Sequence, residues 1–146
     1  MTMCNNSFHR RGVVGIVYRK RNEEVEYLVM HRIHPWMGWE FVKGGRGRRS
    51  EEDAIKMELQ QETGLANYNL KKVPGGMLVY DFKRQKDRIS GQAMQVFLIE
   101  AQKDCTIIPD FKEHNDYYWG NFEETKNLLT HREARKLLEN MKRLIV

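Results

Sequence analysis

Apolar positions along the chain fall into short runs separated by glycine- and charge-rich stretches. "GVVGIVYRK" (Gly12–Lys20) is rich in β-branched residues and predicts a strand. "RNEE" follows as a turn, and "VEYLVMHR" (Val25–Arg32) predicts a second strand, so the two read as a hairpin. "HPWMGWEFVKGG" (His34–Gly45) is loop-rich, with a short strand expected at Trp39–Val42. From Ser50 to Thr63 the period changes to that of a helix. Ser50 can cap its start, with Asp53 three residues on, and Gly64 supplies a left-handed stop. "GGMLVYDFKR" (Gly75–Arg84) and "GQAMQVFLIEA" (Gly91–Ala101) predict another pair of strands, and "DYYWGNF" (Asp116–Phe122) a last short one. Asn121 with Glu124, then Thr130 with Glu133, are capping signals. They predict a short helix, a break, and a C-terminal helix from about His131 to Leu144. Residues 1–11 read as a polar lead-in. Strands, helix, strands, helix is the order of a sheet covered by helices, an α/β or α+β layer structure.

Composition narrows this picture only modestly. The 146 residues fit one domain, and 40% hydrophobic content is enough for a core. No repeat, low-complexity segment or linker interrupts the chain. A net charge of +5 favours anionic partners such as nucleotides, polyphosphates or nucleic acid. No apolar run reaches the length of a membrane span, and no signal peptide is expected ahead of the first strand. Cys4 and Cys105 lack metal-type spacing and suit a reducing, cytoplasmic setting as thiols. His31 and His34 read as a partly exposed structural pair, with no further zinc ligand near them in sequence.

The chemistry begins on the predicted helix. A helix turns about 100° per residue, so Glu51, Glu58 and Glu62 fall within roughly 40° of one another. Like charges stacked in this way repel, and a hard cation such as Mg²⁺ or Mn²⁺ would relieve them. The same face also fits a solvated acidic surface. Immediately upstream, "KGGRGRRS" (Lys43–Ser50) holds three glycines and four cations just before the helix start. Gly44 and Gly45 let a phosphate approach the backbone, and Arg46, Arg48 and Arg49 could add charge-assisted hydrogen bonds. A basic surface turn is the alternative. A phosphate-friendly loop thus runs directly into a metal-friendly helix.

These residues resemble the Nudix hydrolase family. The family's box runs from a glycine through a Glu, an Arg-Glu pair and a Glu-Glu pair to a Gly and an aliphatic residue. "GG" and "MELQQETGL" reproduce its two ends, with Glu58 on the Glu of Arg-Glu, Glu62 on the second Glu of Glu-Glu, and Gly64 and Leu65 on the final pair. "GVVGIVYRKRNEEVEYLVMHR" looks like the family's opening hairpin and "EHNDYYWGNFEETKNLL" like its late Trp strand and helix. The fold implied is the Nudix α/β/α sandwich around a mixed β-sheet, over roughly residues 10 to 145. The departures are specific. The loop from Gly45 to Glu58 is two residues shorter than the family's, Arg49 stands at the early box Glu, and Met57 replaces the Arg of Arg-Glu. Those two positions commonly pair in the family, so both partners are gone together. Gln61 replaces the first Glu of Glu-Glu; an amide oxygen can ligate Mg²⁺ but brings no charge and no base. Glu51 is a possible stand-in.

The resemblance implies that a water attacks one phosphorus of a pyrophosphate link, with Mg²⁺ or Mn²⁺ offsetting the charge. It implies Glu58 and Glu62 as catalytic metal ligands, Glu58 as general base, and Gln61 as a weaker ligand. Members often supply a further acidic residue near the late Trp strand, and Glu113 and Asp116 are the candidates; turn residues in contact with solvent are the alternative. "GWEFVKGG" looks like the Trp-x-Phe-Pro-Lys-Gly stretch of members that hydrolyse dinucleoside polyphosphates, with Val42 for proline, so Lys43 would face the phosphate chain. Tyr80, Phe82 and Tyr117 could stack on a base or serve as core. A nucleotide or dinucleoside polyphosphate is the expected substrate, and the 5′ end of an RNA a further partner consistent with the charge. The alternative drawn from Gln61, Met57 and Arg49 is a degenerate domain that binds a nucleotide or a partner without turnover.

Overall fold

The computed structural model of the chain describes the backbone of residues 7–85 and 88–145, and the side chains of residues 10–80 and 91–145. The hairpin is formed by β1 (Ser7–Arg21) and β2 (Glu24–Arg32), paired antiparallel from Tyr18↔Tyr27 to Arg21↔Glu24. Asn22 and Glu23, with φ of 50° and 68°, make the left-handed two-residue turn whose twist matches that of the strands. β3 (Gly38–Glu40) pairs with β2, whereas β4 (Val42–Gly45) pairs with β1. The single strand expected at Trp39–Val42 is therefore two strands, broken at Phe41 as the chain changes partners. After α1 (Glu51–Thr63) come β5 (Tyr68–Gln85) and β6 (Arg88–Ala101), then β7 (His114–Gly120), α2 (Phe122–Leu128) and α3 (Arg132–Met141), closed by a 3₁₀ turn at Lys142–Leu144.

Among the described residues the sheet has seven strands in the order β3-β2-β1-β6-β5, with β4 on β1 and β7 on β2. β1 and β6 run parallel and the other pairs antiparallel, so the sheet is mixed. Alternate residues of β1 serve opposite layers, as a strand buried on both faces requires. Val13 and Val17 pack with Ala54, Ile55 and Leu59 of α1. Val14 and Ile16 pack on the other side with Ala134, Leu137 and Leu138 of α3. This is the α/β/α sandwich.

Three of the four helix-end signals match the structure. Ser50 accepts from Asp53 N at 3.1 Å and Gly64, at φ 72°, ends α1. Asn121 and Glu124 form a reciprocal capping box. Thr130 does not cap α3, because its hydroxyl accepts from Trp39 N at 2.8 Å and ties the helix connection to β3. Four strands, β1, β5, β6 and β7, begin at least two residues earlier than the apolar pattern suggests. β1 starts at Ser7, inside the expected lead-in, because backbone pairing to β6 from Ser7↔Ile89 onward does not depend on side-chain polarity. β5 starts at Tyr68, with a register shift between Lys72 and Met77 accommodating Pro74 and Gly75. The late strand is likewise displaced, beginning at His114, and Phe122 is the first residue of α2.

Candidate active site

α1 lays its carboxylates against the loop-side end of the sheet. Ala54, Ile55 and Leu59 anchor one face of the helix in the core, which draws Glu62 inward as well; it is 2% exposed. Glu58, one turn earlier, is half-buried against β4. A Cβ on Gly44 would lie 2.2 Å from the Glu58 carboxyl carbon, so only glycine lets the helix carboxylate reach the strand. Both oxygens of Glu62 are buried and meet no hydrogen-bond donor when the neighbouring carboxyls are ionised. Burial, then the hydrogen bond and charge of Glu58, then the charge of Glu40 raise the Glu62 carboxyl well above its ordinary value, against the pull of Arg32. In the metal-free protein that rise favours the protonated Glu62, whose hydroxyl can donate to Glu58. A divalent cation would satisfy the pair equally, and two stacked oxygen ligands with orphaned lone pairs are the donor set a hard cation takes.

Behind the pair lies a buried polar cluster. Glu40, at the end of β3, accepts from Arg32 Nε at 2.5 Å and from His114 Nε2 at 2.8 Å, and its other oxygen is 3.5 Å from Lys43 Nζ. Burial alone would raise the Glu40 carboxyl, but His114, Lys43 and Arg32 outweigh it and hold the group below its ordinary value. His114 is fully buried, and its Nε2 lies 3.9 Å from Glu62 Oε1.

The other side of β4 opens on a cleft of about 490 Å³ lined by Arg10, Arg11, Arg32, Lys43, Pro35, Trp36 and the backbone of Gly44, Gly45 and Gly47. Lys43 Nζ stands 5.0 Å above the Tyr80 ring and 5.9 Å from that of Trp36. The Trp36 ring meets His131 edge-on at 4.6 Å. Gly44 belongs to both halves, lining the cleft while touching Glu58.

The sequence-derived candidates scatter around this centre. Glu58, Glu62, Lys43, Gly44 and Gly45 come together. Gln61 is exposed on the outer side of α1. Glu51 is drawn away by Lys72, paired at 2.9 Å. Arg46 folds back on its own loop, its Nε donating to Arg49 O at 2.7 Å, while Arg48 and Arg49 are exposed. Glu113 is exposed near Arg32, 3.9 Å away, and its ligand atom lies within 4.8 Å of those of Asp110 and His114. Asp116 is exposed on β7 and accepts from Tyr117 N. Tyr117 is 36% exposed. Tyr80 is buried beneath Lys43, and the Phe82 side chain and Cys4 lie outside the described residues. Met57 is half-buried. His31 packs on Trp39 at 4.8 Å and bonds Asn115, a structural setting, and Cys105 is a free thiol raised by burial. Sequence reasoning missed Arg10, Arg11, Arg32, Trp36, Glu40 and His114. Of these, Arg32, Trp36, Glu40 and His114 lie inside the quoted stretches, and nothing but tertiary contact distinguishes them.

A family model described as the NUDIX domain matches residues 8–141. No curated protein matches the chain in sequence. Among solved structures, a Caenorhabditis elegans Ap4A hydrolase in a binary complex is 17% identical, with a TM-score of 0.76 over 93% of this chain and 97% of that one. The NUDIX domain of Shewanella oneidensis NrtR complexed with ADP ribose is 12% identical, with a TM-score of 0.75 over 95% and 90%. The Escherichia coli dihydroneopterin triphosphate pyrophosphohydrolase is 13% identical, with a TM-score of 0.74 over 90% and 95%. No helix among the described residues is long and apolar enough to cross a membrane.

Proposed function

The chain belongs to the Nudix family, and on that premise we propose that it hydrolyses a pyrophosphate linkage in a nucleoside polyphosphate, with a dinucleoside polyphosphate as the preferred class, using Mg²⁺ or Mn²⁺. The observation that carries this reading is the shared Gly44: a buried acid pair on one side of β4 and a cationic cleft on the other meet at one residue. Ap4A, ADP ribose and dihydroneopterin triphosphate, the compounds named for the three structural neighbours, all contain the phosphoanhydride such a site would cleave.

Glu58 and Glu62 would hold the metal, and Glu113, exposed beside Arg32, is a candidate further ligand; Gln61 points away from the pair and adds none. A bound divalent cation would acidify a water and offset charge on the departing phosphate. The chain's own part is positioning. Arg32 and Lys43 bind phosphate oxygens at the cleft floor, and Gly44 and Gly45 admit the phosphate chain to the backbone. Trp36 supplies an apolar wall for a base, and Glu58, half-exposed, accepts the water proton. The salt-bridged Glu51 has no place in this set.

That loss, with Gln61 turned outward, is the specific support for a second reading, a domain that binds nucleotide without turnover. The test is incubation with Mg²⁺ or Mn²⁺ and a panel of nucleoside triphosphates, dinucleoside polyphosphates and nucleotide sugars, with products resolved by anion exchange. Two nucleotides released from a dinucleoside polyphosphate support the hydrolase. Intact substrate throughout, with nucleotide still bound, supports the binding module.

A further inference from the structure

Glu40 lies within the site without facing either the cleft or the α1 carboxylates' solvent side. It is 2% exposed, and Arg32 and His114, also buried, are 8% and 0% exposed. One Glu40 oxygen takes hydrogen bonds from Arg32 at 2.5 Å and His114 at 2.8 Å, while the other is 3.5 Å from Lys43. His114 passes the contact on, 3.9 Å from Glu62. Well-packed apolar residues are often at least as stable as buried ions, so stability is a weak reason for such a cluster.

Electrostatics supplies a stronger one. Arg32 and Lys43 line the cleft that would take phosphate; the charge of Arg32 also reaches Glu62 on the metal-facing side, and Lys43 joins the same cluster through Glu40. Unopposed, this positive charge would disfavour a cation there, since charges interact strongly in a poorly solvated site. We propose that Glu40 is a positioning residue for the reaction: it holds Arg32 and Lys43 at the cleft and cancels their charge at the Glu58–Glu62 face, so that phosphate and metal can be bound side by side. This rests on the hydrolase reading above for which groups face phosphate and which face metal.

The signature is a pair of opposite effects. Glu40→Gln keeps the shape and removes the charge; it should weaken Mn²⁺ about tenfold while leaving ATP, in EDTA, bound at least as tightly as by the wild type. Lys43→Met should do the reverse, weakening ATP about tenfold and tightening Mn²⁺ about threefold. Free Mn²⁺ is read by electron paramagnetic resonance and ATP by calorimetry, with thermal melts as the folding control. A purely structural Glu40 would lose both ligands together, and that result, or an unchanged Mn²⁺ affinity, overturns the proposal. If Glu40→Gln does not fold, Lys43→Met decides, since unaltered Mn²⁺ binding there overturns it equally. A wild type that binds neither probe also overturns it. Because turnover is not read, a wild type that binds both but hydrolyses nothing sinks the hydrolase reading alone.

Discussion

Gly44→Ala is the substitution whose consequence the structure prescribes most closely. The new Cβ would sit 2.2 Å from the Glu58 carboxyl carbon and 2.3 and 2.6 Å from its oxygens. Ordinary contact distances require the carboxylate to retreat by about 1 Å. Gly44 is not among the glycines with positive φ, so the backbone accepts alanine. The displaced group is the far end of a flexible, half-exposed side chain, and the folding cost should be about 1 kcal/mol or less. A misplacement of about 1 Å at a reacting group costs on the order of 100-fold in rate. The expected result is therefore a nearly unchanged melting temperature with kcat down by about two orders of magnitude. Gly45→Ala is the control for the folding half alone, since nothing lies within 4 Å of its Cβ. Melting curves and steady-state hydrolysis, run on the same preparations, check both halves. A kcat within about threefold of wild type would refute the placement of Glu58 at the reacting centre.

Other expectations follow from the same geometry. Because the Glu62 carboxyl is raised in the folded state above its ordinary 4.5, the metal-free protein binds the extra proton when folded. That stability is full below the unfolded value and is lost as pH rises through the raised one, so melts in EDTA should fall as pH climbs above the ordinary carboxyl range, and Glu62→Gln should flatten the profile. Glu51→Gln should leave Mn²⁺ affinity within about twofold, since Lys72 holds Glu51 away; a larger loss on Mn²⁺ titration would return Glu51 to the metal set. Trp36→Ala should raise KM by about tenfold or more with kcat nearly kept, as loss of base stacking does; a fall in kcat alone would contradict the role. Asn121→Ala, which removes the capping box of α2, should cost about 1 kcal/mol in denaturant titrations without changing turnover.

Local rules carried the sequence far where structure is local. The hairpin, the Ser50 and Asn121 caps and the Gly64 stop all depend on residues a few positions apart. Where the partner is remote, the pattern misled. The Thr130 hydroxyl went to Trp39, ninety-one residues earlier in the chain. The strand around Glu40 changed partners at Phe41, and polar Arg10 and Arg11 were carried into β1 by pairing with β6. The acid pair of α1 was legible from helical spacing, but spacing placed Glu51 beside it and could not foresee Lys72 arriving from β5. The buried Arg32–Glu40–His114 cluster was illegible for a physical reason: charged residues read as surface until tertiary contacts pair them.

Single-turnover hydrolysis of a dinucleoside tetraphosphate with Mn²⁺ tests the central claim most directly, comparing wild type with Glu58→Gln, Glu62→Gln and Gln61→Ala. The geometry predicts that each glutamate substitution slows release of nucleotide by about 100-fold or more, while Gln61→Ala stays within about tenfold of wild type. Hydrolysis that survives loss of either buried-face glutamate, or that depends on Gln61 instead, would contradict it.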